Sequence, residues 1–119
     1  MDDVASVKQL ARLFKVLSDE TRLRLLKLLA EQGPESALCV GALAMGLGIS
    51  QSATSQHLAV LRAAGLVIDE RRGYFVHYRL NYASLGRWRE QMWAVLGDEL
   101  AEALAVPRVG RQPPESGQA

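Results

Sequence analysis

Between Ile49 and Val67 the chain reads ISQSATSQHLAVLRAAGLV, a stretch whose polar side chains gather on one side of a helix. Ser50 is a residue type that caps helix starts, and Gly65 one that follows helix ends. Thr54, Leu58 and Leu61 recur at spacings of four and three and form the expected buried stripe. At ~100° per residue, the opposite face then carries Ser52, Ser55, Gln56, Ala59 and Ala63, with Gln51 and Arg62 at its edges. That face holds no acid and no bulky apolar group. Serine and glutamine present donors and acceptors on short stems, so they can reach base edges on the floor of a DNA major groove. The same residues also suit a face turned to water, and the flanking segments decide between the two.

Upstream, Val40–Met45 is an apolar segment long enough for about two helical turns. It is joined to the Ser50 helix by Gly46-Leu47-Gly48-Ile49, where Gly48 can supply the positive φ of a tight turn. This is the layout of a helix-turn-helix. Downstream, Leu66–Glu70 and Tyr74–Leu80 read as strands joined by Arg71-Arg72-Gly73. A hairpin placed there is the wing of a winged helix. Arg71 and Arg72 at its expected tip suit flanking phosphates or a minor-groove edge.

Two motifs then meet in one chain. The run Leu17-Ser18-Asp19-Glu20-Thr21-Arg22-Leu23-Arg24-Leu25-Leu26 resembles the second helix of the arsenic- and metal-responsive repressors of the ArsR/SmtB type. Ser50-Gln51-Ser52-Ala53-Thr54-Ser55-Gln56-His57-Leu58, followed by Leu61-Arg62-Ala63-Ala64-Gly65-Leu66-Val67, resembles their recognition helix. The resemblance runs from about Val7 to Leu80, and the terminal helices fit that family's dimerising first and last helices. It implies a mainly α winged helix-turn-helix with a small β-hairpin. It also implies a homodimeric repressor that leaves its operator when an inducer binds.

Composition fits one ordinary globular domain: 119 residues, 49% hydrophobic and 23% charged. A chain of this size buries roughly 60–65% of its unfolded surface. No apolar run reaches the ~20 residues of a membrane span, and Met1-Asp2-Asp3 is a poor start for a signal peptide. The single cysteine excludes an internal disulfide and fits a cytoplasmic setting. A net charge of +1 is small for a DNA binder, but its distribution is uneven. Lys8 to Lys27 holds six basic residues against two acids, and Ser50 to Leu80 four arginines against Asp69 and Glu70. Ala83–Ala105 reverses the sign, with Arg87 and Arg89 against Glu90, Asp98, Glu99 and Glu102.

The terminal helices carry the expected dimer surface. In Val4–Leu17 the residues Val7, Leu10, Phe14 and Leu17 recur at three and four. Leu85, Trp88, Met92, Leu96, Leu100 and Leu104 do so across Ala83–Ala105, with Trp93 and Val95 beside them, before Pro107 forbids continuation. So much apolar surface on a small winged helix is best covered by a second copy. Residues 1–105 thus form the DNA-binding and dimerisation domain. Residues 106–119, with three prolines, two glycines, Arg108 and Arg111, read as a flexible tail. A dimer presents two recognition helices to half-sites about one DNA turn apart, so the expected partner is double-stranded DNA carrying an inverted repeat.

Within this scheme Ser52, Ser55 and Gln56 are the candidates for base edges, Gln51 and Arg62 for phosphate, and Arg71 and Arg72 for the backbone or minor groove. The signal is less legible. The resemblance implies an arsenic site of two cysteines one residue apart, but here Cys39 is followed by Gly41 at the second position. It also implies a zinc site of Asp and His on the last helix, but Ala83–Ala105 has no histidine. Neither metal site is complete, and no cofactor is expected. His57 and His77 fall in the recognition helix and the wing; a helix-flank hydrogen bond is the expected role of His57, and neither is expected to bind a metal. Cys39 beside a helix N-terminus suits a thiol switch, or else a small apolar filler. Trp88, Met92 and Trp93 suit an organic ligand between the last helices, or else ordinary core. Control without any small-molecule inducer is the third option. A winged helix can also serve as a protein-interaction module without specific DNA binding. No constellation of carboxylates, Cys-His couple or phosphate loop suggests an enzyme.

Overall fold

The computed structural model describes residues 3–33, 36–97 and 102–103. Five helices and a small antiparallel sheet follow the order α1 (Asp3–Leu17), α2 (Glu20–Glu31), β1 (Leu38–Cys39), α3 (Val40–Leu47), α4 (Gln51–Ala63), β2 (Val67–Arg72), β3 (Phe75–Leu80) and α5 (Tyr82–Leu96). The mainly α winged helix-turn-helix expected from the sequence is present. The sheet has a third strand, however: its order is β1-β3-β2, with Leu38 opposite Tyr78 and Cys39 opposite His77. A two-residue strand is too short for any periodicity, so β1 exists only because β3 is there to pair with it.

Local chemistry starts and stops the helices. Asp19 caps α2 by accepting from the Arg22 N–H at 3.0 Å, and Ser50 caps α4 by accepting from the Ala53 N–H at 3.0 Å. The two helices of the helix-turn-helix end alike. The Ile49 N–H donates to the Ala44 carbonyl and the Leu66 N–H to the Leu61 carbonyl, each five residues back. The intervening Gly48 and Gly65 take φ of 72° and 79°. This ending satisfies terminal carbonyls and needs a residue without a Cβ at the reversal.

The core gathers Leu25 and Leu29 of α2, Leu43 and Leu47 of α3, Leu58 and Leu61 of α4, Leu66, Val67 and Leu80 under one roof, with Leu10 and Leu13 of α1. Thr54, Leu58 and Leu61 are fully buried, as their spacing predicts. α3 crosses α2 closely, since a Cβ on Gly46 would fall 2.8 Å from a Leu28 methyl.

Three expectations are corrected. The buried face of α1 is Ser6, Leu10 and Leu13, while Val7 and Phe14 are 50% and 46% exposed. The apolar residues of α1 thus divide between two faces, because its single-domain contacts reach only one side. α5 ends at Leu96 rather than near Ala105, because Gly97 takes φ 85° and ψ 157° and turns the chain out of the helix. Glu102 and Ala103 are helical again, whereas Asp98, Glu99, Leu100, Leu104, Pro107 and the tail 106–119 lie outside the described residues. Finally, Arg71 and Arg72 are not at the hairpin tip. They end β2, where Arg72 pairs with Phe75, leaving Gly73-Tyr74 as a two-residue turn.

Candidate nucleic-acid interface

The outer face of α4 matches the sequence reading residue by residue. Gln51, Ser52, Ser55, Gln56, Ala59, Arg62 and Ala63 are all exposed. Gln51, Ser52, Ser55 and Gln56 make no side-chain hydrogen bond within the described residues, so their polar groups are free to exchange water for another partner. Ser50 and Thr54 are instead spent inside the helix. Thr54 Oγ1 donates to the Ser50 carbonyl at 2.8 Å, and Ser50 Oγ serves the cap.

Three contacts hold this helix to its neighbours. Its buried stripe sits in the core. His57 Nδ1 lies 3.4 Å from an Arg22 guanidinium nitrogen and 4.0 Å from Asp19 Oδ1. Arg22 in turn donates from Nε to the Val16 carbonyl at 2.7 Å. One cluster thus ties the α1–α2 corner to the flank of α4, the hydrogen-bonding role expected of His57. The Arg22 N–H at the helix cap, followed by the Arg22 and His57 charges, holds the Asp19 carboxyl below its ordinary pKa. Arg62, at the far end, pairs with Asp69 of β2 at 3.3 Å and links the recognition helix to the wing.

The wing is differently organised. Glu70 accepts from Arg72 at 2.7 Å and from Arg79 at 3.1 Å. The hydrogen bonds from Arg72 and then Arg79 hold its carboxyl below the ordinary range. Arg71 is exposed and has no ion-pair partner among the described residues. The turn brings out two aromatics that sequence reasoning passed over, Tyr74 at 95% and Phe75 at 64% exposure. The sequence reading starts the second strand one residue early, at Tyr74, whereas Phe75 does open β3, on its solvent side.

The sheet also brings together residues far apart in the chain. Cys39 faces His77 across one strand pair, and His77 faces Glu70 across the other. The His77 Nδ1 atom is buried without a hydrogen-bond partner among the described residues. Cys39 is half-buried and occupies the N-cap position of α3 without a side-chain cap bond. The place of a second thiol one residue further is Gly41, where a Cβ would meet the Gln51 side-chain amide at 3.5 Å. Among the described residues no group of three or more His, Cys, Asp or Glu side chains converges as a metal site. A lone thiol is a poor donor set for arsenic(III), which prefers several thiolates.

Comparison with known proteins gives a consistent result. Residues 19–69 match the family model described as bacterial regulatory protein, arsR family. An arsenical resistance operon repressor of Escherichia coli is 50% identical over 70 residues, which are 59% of this chain and 57% of that repressor. An arsenic resistance transcriptional regulator of Pseudomonas putida is 38% identical over 105 residues, covering 84% of this chain and 79% of the relative. Among solved structures, a homodimeric winged helix-turn-helix DNA-binding domain from Mycobacterium bovis, a possible ArsR-family regulator, superposes with a TM-score of 0.61 at 29% identity, covering 85% of this chain and 86% of that one. These relatives are transcriptional regulators, not enzymes.

Proposed function

The chain belongs to the arsR family of bacterial regulatory proteins, and from that premise we propose a homodimeric repressor that binds an inverted-repeat operator and blocks transcription by occupying it. The observation that carries this reading is the outer face of α4. It is exposed, free of acids, and, Arg62 apart, furnished with polar side chains that make no side-chain hydrogen bond among the described residues. In the proposed complex Ser52, Ser55 and Gln56 reach base edges while Gln51 holds phosphate. Arg62 sits where it can exchange Asp69 for phosphate. Arg71, with Arg72 behind it, meets the flanking backbone or minor groove.

The second copy docks on the faces left uncovered by the single-domain core. Val7 and Phe14 of α1 and the flank of α5 that bears Trp93 form that surface in the proposal. The exposure of Val7 and Phe14 in one protomer supports it, and Trp93 is half-buried there. The proposal places the protein in the cytoplasm with its operator. It assigns no arsenic or zinc role, since the family's donor sets are incomplete in this sequence, and no step depends on a metal. Cys39 remains the proposed position for a thiol-based signal.

A fluorescence-anisotropy titration tests the function. The DNA upstream of the protein's own gene is compared with scrambled DNA of equal length at several salt concentrations. A preference of about 10³-fold or more is the expected result for a specific regulator. Equal, weak binding to both would favour a winged-helix module that recognises a protein instead.

A further inference from the structure

An open groove of about 800 Å³ runs between α1, the C-terminal turn of α4 and α5. Leu13 and Val16 of α1, Val60 of α4 and Trp88 of α5 give it an apolar floor, and Arg12 and Arg87 stand along it. No acidic side chain lines it. Neither arginine has an ion-pair partner among the described residues. Arg87 is held by donating to Ser84 Oγ at 2.8 Å. At one end Gln91 donates to Gln9 Oε1 at 2.7 Å and to the Ser6 carbonyl at 3.3 Å, fixing the spacing of α1 and α5.

We propose that this groove binds an amphipathic organic anion, an aromatic or branched aliphatic carboxylate, and that its occupancy regulates DNA binding. The volume is that of a small-molecule site. Two uncompensated guanidiniums above an apolar floor select a carboxylate on a hydrophobic body, with the planar fork of arginine suited to both of its oxygens. Trp88 supplies a broad face for a ring. The groove is not the surface proposed for the second copy. On α1, Arg12 and Val16 lie about 170° round the helix from Val7 and Phe14, and on α5 the lining residues lie about 170° from Trp93. Both helices therefore offer one flank to the partner and keep the other for a ligand.

The regulatory half rests on the DNA-binding function proposed above. Val60, Ala63 and Ala64 of the lining belong to the recognition helix or its cap, so a bound anion touches the element that enters the groove of DNA. A ligand that favours one placement of α4 over another shifts DNA affinity by its difference in affinity for the two.

Calorimetric titration of the full chain with 1-naphthylacetate, and with the neutral 1-naphthylacetamide as control, tests the site. The expected result is one saturable site per protomer for the acid, with binding of the amide weaker by about tenfold or more. Arg12→Gln and Arg87→Gln, both at exposed positions, each weaken the acid several-fold and leave the amide unchanged. Val60→Trp fills the groove and abolishes binding while sedimentation still reports the wild-type oligomer. Absence of saturable binding, equal binding of acid and amide, or indifference to both arginine variants would overturn the site. A Val60→Trp chain that lost its partner would assign the groove to the second copy, which also overturns it. Anisotropy with the upstream DNA reads the coupling separately: saturating 1-naphthylacetate is expected to change affinity about tenfold. Unchanged affinity overturns the regulatory half alone, and failure of the unliganded chain to prefer its own DNA overturns the function instead.

Discussion

The recognition helix and the wing are both offered to DNA in the proposed complex, yet they are built in opposite ways. α4 is anchored by three fully buried side chains and capped at both ends, and its outer Gln51, Ser52, Ser55 and Gln56 make no side-chain hydrogen bond among the described residues. The wing rests on a two-residue turn, exposes two aromatics, and has already committed most of its positive charge. Arg72 and Arg79 share Glu70, and only Arg71 stands free among the described arginines of the hairpin. A face of free donors and acceptors on a rigid helix is preorganised for base edges, because nothing must be broken before contact. A guanidinium already neutralised by a carboxylate attracts phosphate less, so in the proposed complex the wing contributes less than its arginine count implies.

That contrast can be broken or sharpened by substitution. The largest effect is expected for Leu58→Ala, which removes a fully buried side chain beneath the recognition face. A loss of about 2–5 kcal/mol in urea unfolding is expected, and a loss well under that would show that α4 is not anchored as described. Gln56→Ala leaves folding stability almost unchanged but is expected to cost about 1–3 kcal/mol of discrimination at one base pair in binding assays on operator variants. If sequence preference survives intact, the outer face of α4 is oriented differently. Ser50→Ala removes the α4 cap and is expected to lower stability by about 1 kcal/mol, read from the same unfolding curves.

The smallest effects distinguish the arginines of the wing. Arg71→Ala is expected to reduce the salt slope of DNA binding by about one, and Arg72→Ala by less because Glu70 already screens it. Equal slopes would erase the distinction between free and committed charge. Glu70→Gln tests it from the other side, since releasing both guanidiniums should steepen the slope. The Glu70 carboxyl lies below its ordinary pKa when folded. Its stabilising contribution is therefore present above the ordinary value and lost as pH falls through the depressed one. In acid unfolding the Glu70→Gln variant should accordingly lose less stability than the wild type over that interval.

Sequence alone carried most of α4. Caps and helix ends are local chemistry within a few residues, and the fixed helical period places Thr54, Leu58 and Leu61 inside and Ser52, Ser55 and Gln56 outside. The wing was legible as two strands but not in register. Whether Arg72 belongs to turn or strand depends on which residue it pairs with, and a one-residue shift is invisible to composition. Periodicity puts the α1 stripe on one face, although Leu13 rather than Phe14 enters the core, because it shows which residues are apolar but not which neighbour covers them. For α5, an unbroken apolar series concealed the stop at Gly97.

What the sequence determined, then, was a winged helix-turn-helix whose α4 turns a face of small polar side chains outward, since both follow from short-range spacing and capping. Only the tertiary structure decided that Cys39 faces His77, that Glu70 holds two arginines, that His57 meets Asp19 and Arg22, and that Arg12, Val60 and Arg87 border one groove. Apart from Arg72, which shares β2 with Glu70, each of those meetings joins residues from different elements. They are set by strand register and helix packing, physical constraints that no local stretch of chain contains.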